Sequence, residues 1–156
     1  MKTHNTLPKK LKADSISLLQ ARLADSLDAY SHCKQAHWNV RGPGFQAIHE
    51  LFDKVADAVA ESADAIAERL ATLGGSPSGT ARDVAKNSTL KPYPHGIANE
   101  RKHADALASS LSALATAYRE AIDHADKAGD AVTCDLFTRL TGELEKYIWF
   151  IESHNA

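Results

Sequence analysis

Cysteine and methionine are scarce in this sequence. The 156 residues include two cysteines, Cys33 and Cys134, and one methionine, Met1. The cysteines lie far apart and form no Cys-x-x-Cys pair, which favours two buried or half-buried thiols in a reducing compartment over a disulfide framework. Because Met1 is the only methionine, the sequence excludes a haem held between subunits by methionine sulfurs.

Long apolar runs are also missing. No stretch reaches the length of about 18 apolar residues that a membrane helix needs, and the polar N-terminus lacks the apolar core of a signal peptide. We therefore expect a cytoplasmic protein with no membrane partner, associated with the nucleoid if it binds DNA. The formal net charge of −2 shows that the whole chain is not a polyelectrolyte, so charge has to be analysed locally.

Helical periodicity is what the sequence does contain. Apolar residues recur every three or four positions along four long segments, and we predict helices at about 15–41, 45–73, 99–127 and 130–153. The link between the second and third is long, and 78–87 within it suits a short extra helix. No segment alternates strictly as a strand does. The pattern predicts an all-α four-helix bundle with one long crossover.

Residues 1–13 differ from the rest because they carry lysines and no acidic residue. We predict a short, basic, mobile tail ahead of a single bundle domain, 14–156. Such a tail contacts DNA phosphates without regard to base sequence, and repetition over an assembly adds avidity. The candidate DNA-binding residues are Lys2, Lys9, Lys10 and Lys12.

One side of the second predicted helix is acidic. At about 100° per residue, this side collects His49, Asp53, Asp64 and Glu68. Like charges one helical turn apart repel each other, and Lys54 is the only basic residue between His49 and Glu68. A bound cation would relieve this repulsion. A solvated acidic face is the alternative.

The same side chains are arranged symmetrically along the helix. His49 and Glu68 are about 28 Å apart at ~1.5 Å per residue, too far to hold one metal ion. Positions 53 and 64 have the same midpoint as positions 49 and 68, beside Ala58. A two-fold axis there would place the histidine end of one copy opposite the acidic end of the other. The spacing therefore predicts two identical metal sites in a dimer.

His37 is the remaining candidate ligand. It follows Ile16, Leu23 and Tyr30 at intervals of seven, so an imidazole occupies a position where the inward stripe would place an apolar side chain. A tight turn joins its helix to that of His49. A hydrogen-bonded core histidine is the alternative. Two imidazoles with three carboxylates suit a borderline metal such as iron, with zinc or manganese as competitors.

A metal site inside one bundle is the less favoured arrangement. Di-iron bundles commonly use two Glu-x-x-His motifs, and this sequence has one, from Glu100 to His103. We therefore interpret that motif as an exposed first turn of the third helix. A helical interaction protein without metal chemistry is a further alternative.

The segment Lys34 to Gly75, KQAHWNVRGPGFQAIHELFDKVADAVAESADAIAERLATLGG, resembles the Dps family, the DNA-binding proteins from starved cells. The AHWN…HELFD…AD…AER combination carries the resemblance. LKPYP (90–94) and EKYIWFIESH (145–154) extend it over nearly the whole chain. The resemblance implies a ferritin-like four-helix bundle, assembled from two-fold dimers into a shell of twelve subunits.

The resemblance also implies an activity. Members of the family oxidise Fe²⁺ to Fe³⁺, preferably with hydrogen peroxide, deposit ferric mineral inside the shell and protect DNA from oxidative damage. For their two-metal ferroxidase site, the resemblance implies these ligands: His37, His49 and Asp53 of one subunit with Asp64 and Glu68 of its two-fold partner. It also implies that Trp38 lies beside the site. Three acids resemble the family's three-fold pore, although they also suit ordinary helix N-terminal acids: Asp126, Asp130 and Asp135.

Overall fold

The computed structural model of the chain describes residues 3–155, and these residues form five α-helices. Their bounds are α1 (Lys9–Asn39), α2 (Phe45–Thr72), α3 (Ala81–Asn87), α4 (Glu100–Ala128) and α5 (Ala131–Glu152). Residues 3–155 contain no strand, which confirms the all-α prediction. The short α3 lies in the link between α2 and α4, so the predicted crossover helix is confirmed as well.

The four long helices pair in sequence order. α1 packs against α2 and α4 packs against α5, while contacts from α1 to α4 and from α2 to α5 close the bundle. The largest side chains of the core are Tyr118, Phe52 and Phe137, which come from three different long helices and are fully buried. Burial of such aromatic groups is a main source of folding free energy. The core therefore holds α2, which carries most of the candidate ligands, in a fixed register.

A buried carboxylate attaches the crossover to α1. Asp25 is 0% exposed, and its Oδ1 accepts hydrogen bonds from the backbone N of Thr89 at 2.7 Å and from the Thr89 hydroxyl at 3.0 Å. Its Oδ2 lies 2.9 Å from Nε of Arg22. A buried charge needs such partners, so the crossover is held where it leaves α3.

The start of α1 is a correction to the predicted boundary. The helix begins at Lys9, directly after Pro8, and not near Ser15. Residues 9–13 are therefore helical rather than part of a tail. Proline suits this place because it needs no N–H partner at a helix start. Ser15 does not cap the helix, because it lies inside α1, where it is buried and its hydroxyl donates to Asp130 at 2.7 Å.

The segment before α1 is also held against the bundle. The hydroxyl of Thr3 donates to the carbonyl oxygen of Thr72 at 3.2 Å, at the end of α2. The ammonium of Lys12 donates to the carbonyl oxygen of Asn5 at 2.8 Å, and Leu7 packs against the core. Residues 1–2 of the predicted tail lie outside the described part of the chain.

Both cysteines are free thiols. Cys33 is buried in α1 and Cys134 is half-buried in α5, which confirms the predicted burial of the two thiols. Burial raises the pKa of Cys33 to about 12, so this thiol stays protonated and packs as a small apolar group. Among residues 3–155, no helix combines the length and apolar character that crossing a membrane requires.

Candidate metal centre

The turn between α1 and α2 brings two histidines together. α1 ends at Asn39 and α2 begins at Phe45, so His37 lies in the last turn of α1 and His49 lies near the start of α2. Two packed helices joined by so short a connection form an antiparallel hairpin. The side chains at its closed end face each other as a result.

The two imidazole rings stack. Their centroids are 3.7 Å apart and their planes differ by 21°. Nδ1 of His37 lies 2.9 Å from the carbonyl oxygen of His49, and Nδ1 of His49 lies 2.9 Å from the carbonyl oxygen of His37. A carbonyl oxygen accepts only, so each Nδ1 carries the proton. In the neutral rings both Nε2 atoms are then unprotonated, which is the form that binds a metal.

Asp53 adds a carboxylate one helical turn after His49. Its Oδ1 lies 3.9 Å from Nδ1 of His37 and 2.5 Å from Nζ of Lys34. The hydrogen bond from Lys34 holds the pKa of Asp53 below its ordinary value, and the same bond raises the pKa of Lys34. Asp53 is therefore an anion at neutral pH, and its side chain is 46% exposed.

Asp64 and Glu68 do not join this group within one chain. Both are exposed on α2, and Asp64 is about 16 Å beyond Asp53 at ~1.5 Å per residue. Within residues 3–155, no three histidine, cysteine, aspartate or glutamate side chains converge to hold a metal ion. One chain stacks His37 on His49 and places Oδ1 of Asp53 3.9 Å from Nδ1 of His37, which falls short of a complete metal-binding group, and it leaves the two distal carboxylates apart. Their role as ligands stays a prediction.

Trp38 follows His37 in the sequence, and its predicted place beside the site stays a prediction. Its side chain is 62% exposed, and its ring centroid is 6.0 Å from Nζ of Lys34. Lysine near an indole face gains a modest cation–π attraction. Lys34 therefore links the exposed tryptophan to the carboxylate of Asp53.

Asp130 is a correction to the predicted pore. It is 1% exposed, and its carboxylate accepts hydrogen bonds from the hydroxyls of Ser15 at 2.7 Å and Thr133 at 2.6 Å. Nη2 of Arg69 lies 2.8 Å away. Burial opposes ionisation, but the hydrogen bonds and Arg69 outweigh it and lower the pKa of Asp130. This side chain caps α5 and ties it to α1 and α2, so it does not line a channel.

Asp126 and Asp135 have different surroundings. Both are exposed near the junction of α4 and α5, where Gly129 takes the left-handed conformation, with φ 84°, that ends α4. These two positions stay predicted pore residues.

The candidate DNA-binding lysines fall into three groups. Lys9 and Lys10 are exposed in the first turn of α1. Lys12 is half-buried and donates to Asn5, so it is less available than predicted. Lys2 lies outside the described residues. DNA contact by these lysines stays a prediction.

The Glu-x-x-His motif is not the exposed turn that we predicted. His103 is 1% exposed, its Nε2 donates to the carbonyl oxygen of Ile97 at 2.9 Å, and its Nδ1 accepts from the hydroxyl of Tyr93 at 2.9 Å. Burial lowers the pKa of His103. Glu100 contacts the α1–α2 turn, with its Oε2 at 2.8 Å from the backbone N of Gly44.

Two residues near the site were not assigned from the sequence. Lys34 precedes His37 by one helical turn, and that spacing was the available signal for its closeness to the site. Its pairing with Asp53 depends on the packing of α1 on α2. Glu100 is 56 positions from Gly44, and no local pattern indicates their contact.

Comparisons with known proteins identify the family and the fold. The Ferritin-like domain family model matches residues 16–156. The DNA protection during starvation protein of Agrobacterium fabrum is 41% identical, with 99% of this chain and 97% of that protein covered. Dps of Mycobacterium smegmatis (tetragonal form) superposes with a TM-score of 0.93 at 35% identity, covering 99% and 94% of the two chains.

A second solved structure extends the comparison. DpsC from Streptomyces coelicolor superposes with a TM-score of 0.94 at 29% identity, covering 100% of this chain and 91% of that one. Likeness in sequence and fold thus extends over essentially the whole chain. The chain therefore belongs to the Dps family of ferritin-like proteins.

Proposed function

We propose that this chain is the subunit of a homo-oligomeric cage, a dodecamer built from two-fold dimers, that oxidises Fe²⁺ and stores the product as a ferric mineral. Iron is the substrate and the cargo. Each oxidation site takes His37, His49 and Asp53 from one copy and Asp64 and Glu68 from the other. Zinc and manganese are competing ions for the same ligands.

The arrangement of the imidazole pair is the observation that carries the proposal. The reciprocal hydrogen bonds between the rings and the two carbonyl oxygens fix both Nδ1 atoms as donors. Both Nε2 atoms are left to bind a cation, and the anionic Asp53 lies beside the pair, with its Oδ1 3.9 Å from Nδ1 of His37. A pair of core histidines needs no such matched tautomers. The single chain nevertheless supplies too few ligands, which supports completion of the site by a second copy.

The proposed reaction is two-electron transfer to hydrogen peroxide. Two Fe²⁺ ions each give up one electron, the peroxide O–O bond breaks, and two protons from water complete the products: 2 Fe²⁺ + H₂O₂ + 2 H⁺ gives 2 Fe³⁺ + 2 H₂O. Because both electrons go to one peroxide molecule, hydroxyl radical is not released. The carboxylates of Asp53, Asp64 and Glu68 favour the higher charge of Fe³⁺.

Protection of DNA follows from this chemistry. The relatives of this chain are named DNA protection during starvation proteins. Removing Fe²⁺ and peroxide together removes the reagents that form hydroxyl radical. On this proposal the chain protects DNA without having to bind it. Direct binding through Lys9 and Lys10 is the second candidate function, because both cations are exposed at the start of α1.

A subunit-mixing experiment tests the shared site. One variant, His37→Ala with His49→Ala, lacks the histidine half, and the other, Asp64→Ala with Glu68→Ala, lacks the distal acidic half. Each variant alone should fail to oxidise Fe²⁺ with peroxide. Refolded together, half of the randomly paired dimers are mixed and each holds one intact site, so about a quarter of the wild-type sites return.

The mixing experiment has a built-in control. A chain that carries all four substitutions supplies neither half of a site, so refolding it 1:1 with the wild type should leave about a quarter of the wild-type sites, whereas a site held within one chain would be diluted only to one half. Fe²⁺ oxidation is followed by ferric absorbance and assembly by the mass of the particle in solution. Recovery near zero in the mixed sample, with particle mass unchanged, would contradict a site shared between copies. A particle no larger than a dimer would contradict storage.

A further inference from the structure

We infer that Glu100 is a positioning residue for the imidazole pair of His37 and His49. The inference rests on the proposed metal function of that pair. Glu100 belongs to α4 and touches neither ring in the described contacts. It acts on the turn that sets how the end of α1 meets the start of α2.

The geometry of the pair depends on that turn. His37 and His49 are on different helices, and each ring is bonded to the backbone of the other residue. A change in the relative position of the two helix ends therefore disturbs the stacking and both hydrogen bonds. Small displacements matter at such sites, because ligand orientation is set by the groups that hold the ligands.

Three hydrogen bonds attach the turn to the start of α4. The backbone N of Arg41 donates to the carbonyl oxygen of Ala98 at 2.7 Å, and the backbone N of Glu100 donates to the carbonyl oxygen of Arg41 at 3.0 Å. The third is the bond from the backbone N of Gly44 to Oε2 of Glu100 at 2.8 Å. The side chain of Glu100 is the one side-chain group among these contacts.

α2 has no side-chain cap of its own. Its N-cap residue is Gly44, no side chain of the cap accepts a hydrogen bond, and its first turn has no acidic residue. The first N–H groups of a helix have no partner within it and carry a partial positive charge, and here the N–H of Phe45 donates to the carbonyl oxygen of Gly42 at 3.1 Å. The carboxylate of Glu100 supplies the missing anion from another helix. Gly42 leaves room for it, because a Cβ at that position would overlap the Glu100 carboxyl group.

A purely structural role for Glu100 is the competing explanation. Glu100 is also the first residue of α4, where a negative charge stabilises its own helix. Asn99 provides a matched control for that role. Its side chain caps α4 by accepting from the backbone N of Arg101 at 3.0 Å and of Lys102 at 3.2 Å. Asn99→Ala should weaken the start of α4 and keep the hydrogen bond from the backbone N of Gly44 to the carboxylate of Glu100.

The test compares Glu100→Ala, Glu100→Gln and Asn99→Ala in the full-length assembled protein, with Co²⁺ as the probe. Co²⁺ binding is measured by titration calorimetry and by its ligand-field absorption. Glu100→Ala should weaken Co²⁺ binding about tenfold, as loss of an outer hydrogen-bond partner does, and should alter the absorption. Glu100→Gln keeps an oxygen acceptor and should recover most of the affinity. Asn99→Ala should leave it unchanged.

A metal-free crystal structure of each variant separates this inference from the proposed function. Glu100→Ala should lose the ring stacking or at least one of the two Nδ1–carbonyl bonds, and Asn99→Ala should keep all of them. Intact stacking with both bonds in Glu100→Ala overturns the inference, as does equal weakening of Co²⁺ binding by Asn99→Ala. If His49→Ala takes up Co²⁺ as well as the wild type does, the metal function is overturned instead. The crystal structures still decide the role of Glu100.

Discussion

Nζ of Lys34 lies 2.5 Å from Oδ1 of Asp53, so a lysine ammonium already occupies the carboxylate that flanks the two imidazoles. The contact joins α1 to α2 next to the proposed ligands. It lowers the pKa of Asp53 through the hydrogen bond and adds positive charge where the proposal places a cation. A metal ion that takes Asp53 as a ligand therefore has to compete with Lys34.

Replacing Lys34 should consequently strengthen metal binding. Exposed ion pairs contribute about 0.2–1 kcal/mol, so Lys34→Gln should tighten Zn²⁺ binding by about 1.4- to fivefold at pH 7. Zn²⁺ suits the measurement, by titration calorimetry, because it has no redox chemistry. The pKa of Asp53 should rise toward its ordinary value in this variant, so affinity should begin to fall at a higher pH on acidification. Lys54→Gln, an exposed neighbour of Asp53 on α2, is the control, and equal changes in both variants would contradict the competition.

Asp130→Ala should destabilise the fold strongly. It removes the partner of Arg69 and two hydroxyl contacts, and breaking such a buried pair costs about 3 kcal/mol. Unfolding is measured at a fixed subunit concentration, because assembly contributes to apparent stability. Asp126→Ala and Asp135→Ala, both exposed, should change stability little. A similar loss in all three would show that local charge, and not the buried network, is responsible.

The same network predicts a pH dependence. The pKa of Asp130 is lowered in the folded state, so its stabilisation is fully present above the ordinary aspartate pKa of about 4. It is lost as the pH falls through the lower folded value. The difference in unfolding free energy between wild type and Asp130→Asn should therefore shrink on acidification. A difference that stays constant from pH 7 down to the acid transition contradicts an ionised Asp130.

Gly42→Ala should reproduce part of the Glu100→Ala effect. The new Cβ would overlap the Glu100 carboxyl group, which is the end of a flexible side chain and has to swing away from Gly44. Gly42 also has φ 156°, and a strained backbone costs about 1–3 kcal/mol. Thermal unfolding of both single variants and the double variant tests the coupling. Additive losses would contradict it, because residues that act through one contact are not independent.

Binding of duplex DNA, if it occurs through α1, should depend on Lys9 and Lys10. A gel-shift titration across salt should show binding that weakens as salt rises. Lys9→Gln with Lys10→Gln should remove that binding. Lys12→Gln should affect it little, because the Lys12 ammonium is bonded to Asn5. Binding that survives the double substitution would assign the DNA contact to another surface.

Most helix positions were predictable because each long helix repeats its apolar residues at helical spacing. The start of α1 was the main error. Its first turn contains Lys9 and Lys10 and no acid, a combination that the helix dipole disfavours. Its N-cap is Pro8, which provides no side-chain hydrogen bond to the helix. Packing of Leu7 on the core supports this early start. Such a contact between distant parts of the chain leaves no local pattern in the sequence.

The candidate site was likewise predictable from the sequence only in part. The closeness of His37 and His49 followed from a short turn, and the position of Asp53 followed from one helical turn after His49. The burial of Asp130 could not be predicted, because an aspartate before a helix has the same local sequence in a pore and in a cap. Its partners Ser15 and Arg69 lie on two other helices and become neighbours only in the folded bundle.

The absence of three converging ligands within residues 3–155 has a consequence for biosynthesis. On the proposed function, in which sites are completed only between copies, a newly made, unpaired subunit could not carry out the oxidation. Catalysis would start when two folded subunits associate, next to the compartment that receives the product. On the proposed function, the oxidation would thus be withheld from a subunit that has just left the ribosome.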